Sequence, residues 1–243
     1  MKRNPKLVVA LDLNTLEEAR KLIDLLSPVV DIFKVGSQLF TACGPAVVRF
    51  ILVRGKKVFL DLKYHDIPTT VANAVRAVVH LSVPVGQENQ NNGVFMLTVH
   101  TAGGKAMLQA ALLTAEQQAH EIGIEKPLIV GVTVLTSEEG RDNIRELVLE
   151  RARLAKESGL DGVVTSVEEA NILRHEFGED FLIVTPGIRP GGLAKNDQKR
   201  VGTPKDAVQA GSDFLVVGRP IVLSENPLKS AQDILEEIKD SKL

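Results

Sequence analysis

Apolar residues gather in eight short runs along the chain, at 7–11, 29–35, 58–60, 94–99, 128–135, 161–165, 181–184 and 214–217. Between them the apolar positions return every three or four residues. Leu16, Ala19, Leu22, Ile23 and Leu26 share one face of a helix whose cap is Asn14 or Thr15. The same spacing predicts helices over 38–53, broken or restarted at Gly44-Pro45, and over 67–81, 105–122, 143–158, 167–177, 204–210 and 228–238. Gly159 and Gly211 stand where two of these helices should stop. Short strands alternating with amphipathic helices are the mark of parallel βαβ units. Eight such units in 243 residues predict one (β/α)₈ barrel domain spanning residues 1–243. A doubly wound open sheet is the competing arrangement. It would more often stop near six strands and carry a glycine-rich turn after the first, where this chain has Asp12-Leu13-Asn14.

Two stretches break the rhythm. Residues 82–93 run from Val83-Pro84 into a polar tract, Gln87-Glu88-Asn89-Gln90-Asn91-Asn92, which reads as a loop insertion. It precedes a strand, so it should lie at the amino end of the barrel. The loop after the seventh strand, Pro186-Gly187-Ile188-Arg189-Pro190-Gly191-Gly192, continues through Asp197 and Gln198 and is too long for a mere connector.

Composition narrows the picture little. With 44% hydrophobic residues the chain can fill a sizeable core, and a net charge of −2 with dispersed basic residues argues against a nucleic-acid partner. Cys43 is the only cysteine, so no disulfide forms within the chain; a reducing compartment and a small buried side chain on a helix are expected. The start, Met1-Lys2-Arg3-Asn4-Pro5-Lys6, leads straight into a strand without a signal-peptide pattern, and no apolar run approaches membrane-spanning length. A soluble, cytoplasmic protein with no membrane partner is the expectation.

Charge placement is more informative. Asp61 and Lys63 lie two apart on the third run and so should share a strand face, with Leu62 turned away. Asp66 follows the strand, and Pro68 suits the first turn of the next helix. Charges at the end of a buried strand either pair for stability or do chemistry. The other strand ends favour chemistry: Asp12, Lys34, His100, Thr136, Arg189 and Gly218-Arg219 all fall at carboxyl ends, where a barrel builds its active site, whereas the amino ends read as mostly plain. Gly218-Arg219 after the last strand suits a phosphate, through close backbone N–H groups and a bidentate guanidinium.

The stretch Asp-Leu-Lys-Tyr-His-Asp-Ile-Pro-Thr-Thr at 61–70 closely resembles the Asp-x-Lys-x-x-Asp-Ile-x-x-Thr signature of the orotidine 5′-phosphate decarboxylase family, bacterial type. The resemblance extends over essentially the whole chain, through Ala10-Leu11-Asp12, Phe33-Lys34-Val35-Gly36, Val99-His100, Gly103-Gly104, Leu135-Thr136-Ser137, Thr185-Pro186-Gly187-Ile188-Arg189-Pro190, Asp197-Gln198 and Val217-Gly218-Arg219-Pro220. Its visible departure is the insertion at 82–93.

The resemblance implies decarboxylation of orotidine 5′-phosphate to uridine 5′-phosphate in pyrimidine biosynthesis, without cofactor or metal. It implies an alternating network of Lys34, Asp61, Lys63 and Asp66, with Lys63 protonating the carbanion and Asp66 supplied by the second subunit of a homodimer. Ile67 and Thr70 would reach the same neighbouring site. Asp12 would hold ribose hydroxyls, Lys34 would also touch substrate, and Thr136 would contact the pyrimidine. Gln198, Gly218 and Arg219 would take the phosphate, with Arg189 anchoring the loop between them. His100 fits either a histidine packed beneath the site or a direct ligand, and Tyr64 and His65 take packing or positioning roles.

Two other readings remain. Magnesium-dependent sugar-phosphate decarboxylases and aldolases of the same suprafamily share Asp-x-Lys-x-x-Asp but place a carboxylate ligand where Lys34 stands, and a lysine there would repel the metal. A catalytically silent barrel sensing a phosphorylated nucleotide is the second; loss of Lys63 or Asp66 would have favoured it, and both are present.

Overall fold

The structure, a computed structural model, describes residues 4–81, 93–135, 143–191 and 201–241. The polar tract, Thr136, Asp197 and Gln198 lie outside the described residues. In chain order the elements are β1 (Lys6–Ala10), α1 (Leu16–Leu26), β2 (Ile32–Gly36), α2 (Ser37–Cys43), α3 (Pro45–Val53), β3 (Lys57–Tyr64), α4 (Pro68–Val79), β4 (Met96–His100), a 3₁₀ turn (Thr101–Gly103), α5 (Gly104–Ile122), β5 (Leu128–Val132), α6 (Ile144–Glu157), β6 (Gly162–Val164), α7 (Val167–Phe177), β7 (Leu182–Thr185), α8 (Pro204–Ala210), β8 (Phe214–Val217), α9 (Arg219–Val222) and α10 (Pro227–Asp240). The eight strands pair in parallel in sequence order, and β8 closes on β1 to complete the barrel.

Local chemistry explains the boundaries. Thr15, not Asn14, caps α1: its hydroxyl accepts from the Glu18 N–H while the Glu18 carboxylate accepts from the Thr15 N–H. Gly44 adopts a φ of 59° at the end of α2, and Pro45 opens α3, so the helix expected over 38–53 is split in two at that pair. Strand β2 starts at Ile32 rather than 29, because the Val29 and Val30 N–H groups bond back to the Leu26 carbonyl and finish α1. Strand β5 stops at Val132 rather than running to 135; Thr133 instead gives both its N–H and its hydroxyl to the Val164 carbonyl. Cys43, expected to be buried, is half-buried as the last residue of α2.

Two apolar layers hold the barrel. Leu11, Ile23, Leu39, Ile51, Leu60 and Leu97 belong to the layer between strands and helices, all fully buried. Val8, Ile32, Phe59, Met96, Val130, Val184, Phe214 and Val216 form the second cluster and fill the interior. Because strand side chains alternate, the position two beyond each interior residue lies nearer the carboxyl end of the same row. Ile32 is thus followed by Lys34, Phe59 by Asp61 and Met96 by Thr98, and the interior changes from apolar filling to polar groups.

The amino end is not plain, contrary to expectation. Lys126 pairs with Asp161 at 2.7 Å, and Asp161 also accepts the Ile129 N–H. The Arg174 side chain, 8% exposed, pairs with Asp213 at 2.6 Å, while Asp213 accepts the Ile183 N–H. Each aspartate sits just before its own strand and satisfies an N–H on the strand before it. Among the described residues no helix is long and apolar enough to cross a membrane.

Candidate active site

A pocket of about 510 Å³ opens at the carboxyl ends of the strands. Its floor includes Phe59, Val132, Val164, Val184 and Val216, and its rim carries the charged side chains Asp12, Lys34, Asp61, Lys63, Arg189 and Arg219.

Four of these form a row of alternating sign. The Lys34 ammonium lies 3.3 Å from Asp12 Oδ1 and 3.4 Å from Asp61 Oδ2, and Lys63 Nζ donates to that same Asp61 oxygen at 2.9 Å. Lys34 and Asp61 are buried while Asp12 is exposed toward the mouth. Burial pushes the Asp61 carboxyl up, but the charges of Lys34 and Lys63 and hydrogen bonds from Lys63 and Thr98 outweigh it. The net result holds the carboxyl below the usual carboxylate range.

Lys63 does not reach Asp61 by simple strand alternation. It adopts a φ of 51°, alone among described non-glycine residues in having positive φ, where the β3–β4 register shifts between Leu60 and Tyr64. The row also needs a glycine. A Cβ on Gly36 would stand 2.9 Å from Lys34 Nζ and 3.4 Å from Asp12 Oδ1, so its missing side chain leaves room for the ammonium. Gly36 has ordinary extended backbone, which makes space rather than backbone freedom the reason for glycine.

At the other side of the pocket, Gly218 precedes the short helix α9, and its carbonyl accepts the Ile221 and Val222 N–H groups. Arg219 begins that helix and lines the pocket. Arg189 also lines it, and its N–H bonds to the Gly202 carbonyl, tying the two described ends of the β7–α8 connection together.

The remaining expected residues lie elsewhere. Asp66, Ile67 and Thr70 are exposed at the start of α4 and do not line the pocket of their own chain. Asp66 accepts the Ile67 N–H at 2.6 Å. His100 is half-buried outside the pocket; its Nδ1 accepts the Ala102 N–H, and its ring stacks on His65 at 5.3 Å. That geometry fits a packed histidine better than a direct ligand within this chain. Tyr64 is half-buried, packs against the outer apolar layer, and has its hydroxyl pKa raised by burial. Thr136 and Gln198 lie outside the described residues.

Two participants were not anticipated. Thr98 bonds both Asp61 and Lys63. Gln38 lines the pocket and donates to Asn14 at 2.8 Å, joining the β1 and β2 ends. The signal for Gln38 was its place four residues after Lys34, just beyond a strand end.

Known proteins share both the sequence and this architecture. The sequence profile of the orotidine 5′-phosphate decarboxylase / HUMPS family matches residues 5–234. An orotidine 5′-phosphate decarboxylase of Moorella thermoacetica is 46% identical over 248 aligned positions, covering 98% of this chain and 94% of that protein. One from Coxiella burnetii is 45% identical, with 98% of each covered. The crystal structure of orotidine 5′-phosphate decarboxylase from Lactobacillus acidophilus superposes with a TM-score of 0.80 at 36% identity, over 97% of this chain and 99% of that one. A closed parallel barrel with its charged row at the strand ends, matched in sequence over nearly its full length, places the chain in the orotidine 5′-phosphate decarboxylase / HUMPS family.

Proposed function

We propose that the chain removes carbon dioxide from orotidine 5′-phosphate to give uridine 5′-phosphate, using its own side chains and neither cofactor nor metal. The observation that carries this reading is the row Asp12–Lys34–Asp61–Lys63, with a buried lysine at its second place. Relatives that use magnesium put a carboxylate at that place, and a buried ammonium opposes a divalent cation.

In the reaction the bond from the pyrimidine ring to its carboxylate breaks, carbon dioxide leaves, and the electron pair stays on the ring carbon. That pair has little delocalisation, so a nearby cation must stabilise it. The Lys63 ammonium does so and then transfers its proton to the carbon. Asp61 holds the ammonium through Oδ2. Lys34 bridges Asp61 to Asp12, and Asp12 holds ribose hydroxyls at the mouth.

Gly218 and Arg219 take the phosphate with Gln198, Arg189 anchors their loop, and Thr136 contacts the pyrimidine. Binding energy gathered at the phosphate, remote from the reacting bond, is available for positioning in the transition state. Asp66, Ile67 and Thr70 complete the site of a second copy in a homodimer, consistent with their exposure in the single chain. The setting is the cytoplasm.

Loss of ultraviolet absorbance as orotidine 5′-phosphate is consumed, followed with and without excess chelator, tests the proposal. Equal rates are expected. Activity lost on chelation and restored by magnesium would move the chain to the sugar-phosphate branch, and tight binding without turnover would make it a sensor.

A further inference from the structure

Thr98 is the third residue of β4 and is wholly buried. Its hydroxyl accepts the backbone N–H of Lys63 at 2.8 Å and donates to Asp61 Oδ1 at 3.1 Å. A threonine hydroxyl has one proton to give, and here it goes to the carboxylate. The two oxygens of Asp61 therefore have separate tasks. Oδ1 faces Thr98, while Oδ2 faces both ammonium groups, Lys63 at 2.9 Å and Lys34 at 3.4 Å.

The second bond lies at the most unusual backbone position in the described chain. Lys63 has a φ of 51°, a region that side-chain-bearing residues enter only when their surroundings hold them there. The register between β3 and β4 is interrupted at this place, so the regular ladder does not account for the Lys63 N–H, and the Thr98 side chain accepts it. One hydroxyl thus touches both the backbone from which Lys63 projects and the carboxylate toward which its ammonium is drawn.

We infer that Thr98 is a positioning residue: its hydroxyl braces the Lys63 backbone and the Asp61 carboxylate together, fixing where the Lys63 proton is held. This rests on the decarboxylase reading for its catalytic consequence, though not for its geometry. Valine has nearly the same shape and lacks both hydrogen bonds, whereas serine keeps both, so the pair of substitutions separates the hydroxyl from the packing.

The groups facing Asp61 are Lys34 from β2, Lys63 from β3 and Thr98 from β4, with Asp12 beyond Lys34. His100 lies further along β4, with its ring on His65.

The experiment compares wild type, Thr98→Val and Thr98→Ser for turnover of orotidine 5′-phosphate across pH, and for hydrogen exchange at the Lys63 amide. Thr98→Val should lower kcat by about 100-fold, on the scale of losing one oriented hydrogen-bond donor. KM should stay within about threefold, because the phosphate groups are untouched. The acid limb of its kcat/KM profile should move to higher pH, since Asp61 loses a bond that favours its charged form. Thr98→Ser should restore kcat to within about fivefold, and Lys63 amide exchange should quicken at least tenfold in the valine variant only.

A Thr98→Val enzyme that turns over like wild type, or a loss that serine fails to rescue, overturns the inference. So does a loss with unmoved acid limb and unchanged amide exchange, which is the mark of general destabilisation. If wild type itself leaves the substrate untouched, the functional reading fails, and the amide exchange alone decides whether the brace exists.

Discussion

At the carboxyl end of β3 one carboxylate oxygen faces two ammonium groups, and that arrangement links the site to stability. Asp61 has its pKa lowered in the folded chain despite burial, so the charged form is favoured there. A carboxyl whose folded pKa is depressed contributes stability that is fully present above its unfolded value, near about 3.9. The contribution is lost as pH falls through the lower, folded value. Asp61→Asn should therefore destabilise the protein at neutral pH by about 2–3 kcal/mol. This is less than the about 3–5 kcal/mol for breaking a fully buried pair, because the Lys63 side chain is 37% exposed and Lys34 keeps Asp12. Denaturant unfolding at stepped pH should show the two proteins converging below about pH 4. A difference that persists unchanged into acid would mean the asparagine acts through packing rather than charge. Asp12, Lys34, Asp61 and Lys63 were legible in the sequence because each charge ends an apolar run, which is rare without a purpose. Thr98 was not, because a threonine inside a strand is an ordinary β-former until its partners are known. Lys63 was legible as a site residue for an incomplete reason: strand alternation predicted the shared face, and a left-handed residue at a register shift produces it.

Among the elements, the strands and helices divide two tasks between the barrel's ends. The amino end is pinned by Arg174 of α7, which donates to the Gly211, Gly178 and Phe181 carbonyls and pairs with Asp213. One side chain thereby joins the end of α7, the entry to β7 and the entry to β8. Arg174→Met should cost about 3 kcal/mol or more, since it leaves a largely buried carboxylate and several carbonyls without their donor. For a chain of this size that corresponds to a melting point lower by about 6–12 °C. The kcat and KM measured well below that temperature should be unchanged, as the pocket lies at the opposite end. A fall in kcat at temperatures where the variant is fully folded would show that the two ends are coupled. The pin escaped sequence reading because Arg174 and Asp213 are 39 residues apart, one in a helix's polar register and one in a turn. Helix and strand order, by contrast, was legible from the helical spacing of apolar positions and from the short continuous apolar runs between them. Helix 167–177, helix 204–210 and strand 214–217 match to the residue, each bounded by a serine or threonine cap, a glycine stop or a turn. Boundaries moved where backbone groups found partners that periodicity does not reveal, as at Val29, Val30 and Thr133.

For the molecule as a whole, closure of eight strands brings distant residues into one pocket, yet it leaves part of the expected site outside. Asp66 and Thr70 are exposed, and Ile67 is 66% exposed, a large apolar side chain facing away from its own pocket. Counting strands made the barrel legible, but a partner's surface leaves no period in the sequence, and the shared site was suggested by the resemblance and by the place of Asp66 beyond its strand. If Asp66 serves the neighbouring subunit, two different defects can complement each other. Lys63→Ala and Asp66→Asn chains should each be nearly inactive as homodimers. In a mixed dimer one site carries both defects, while the other receives Lys63 from one chain and Asp66 from its partner. Random pairing makes about half the dimers mixed and half of their sites whole, so co-expression should return roughly a quarter of normal activity. Mass spectrometry of the intact assembly establishes that mixed dimers are present. Mixed dimers without recovered activity would put Asp66 in the site of its own chain, requiring the segment before α4 to turn inward when substrate binds. Recovery near a quarter would make the dimer, rather than the single barrel, the smallest unit that holds a complete site.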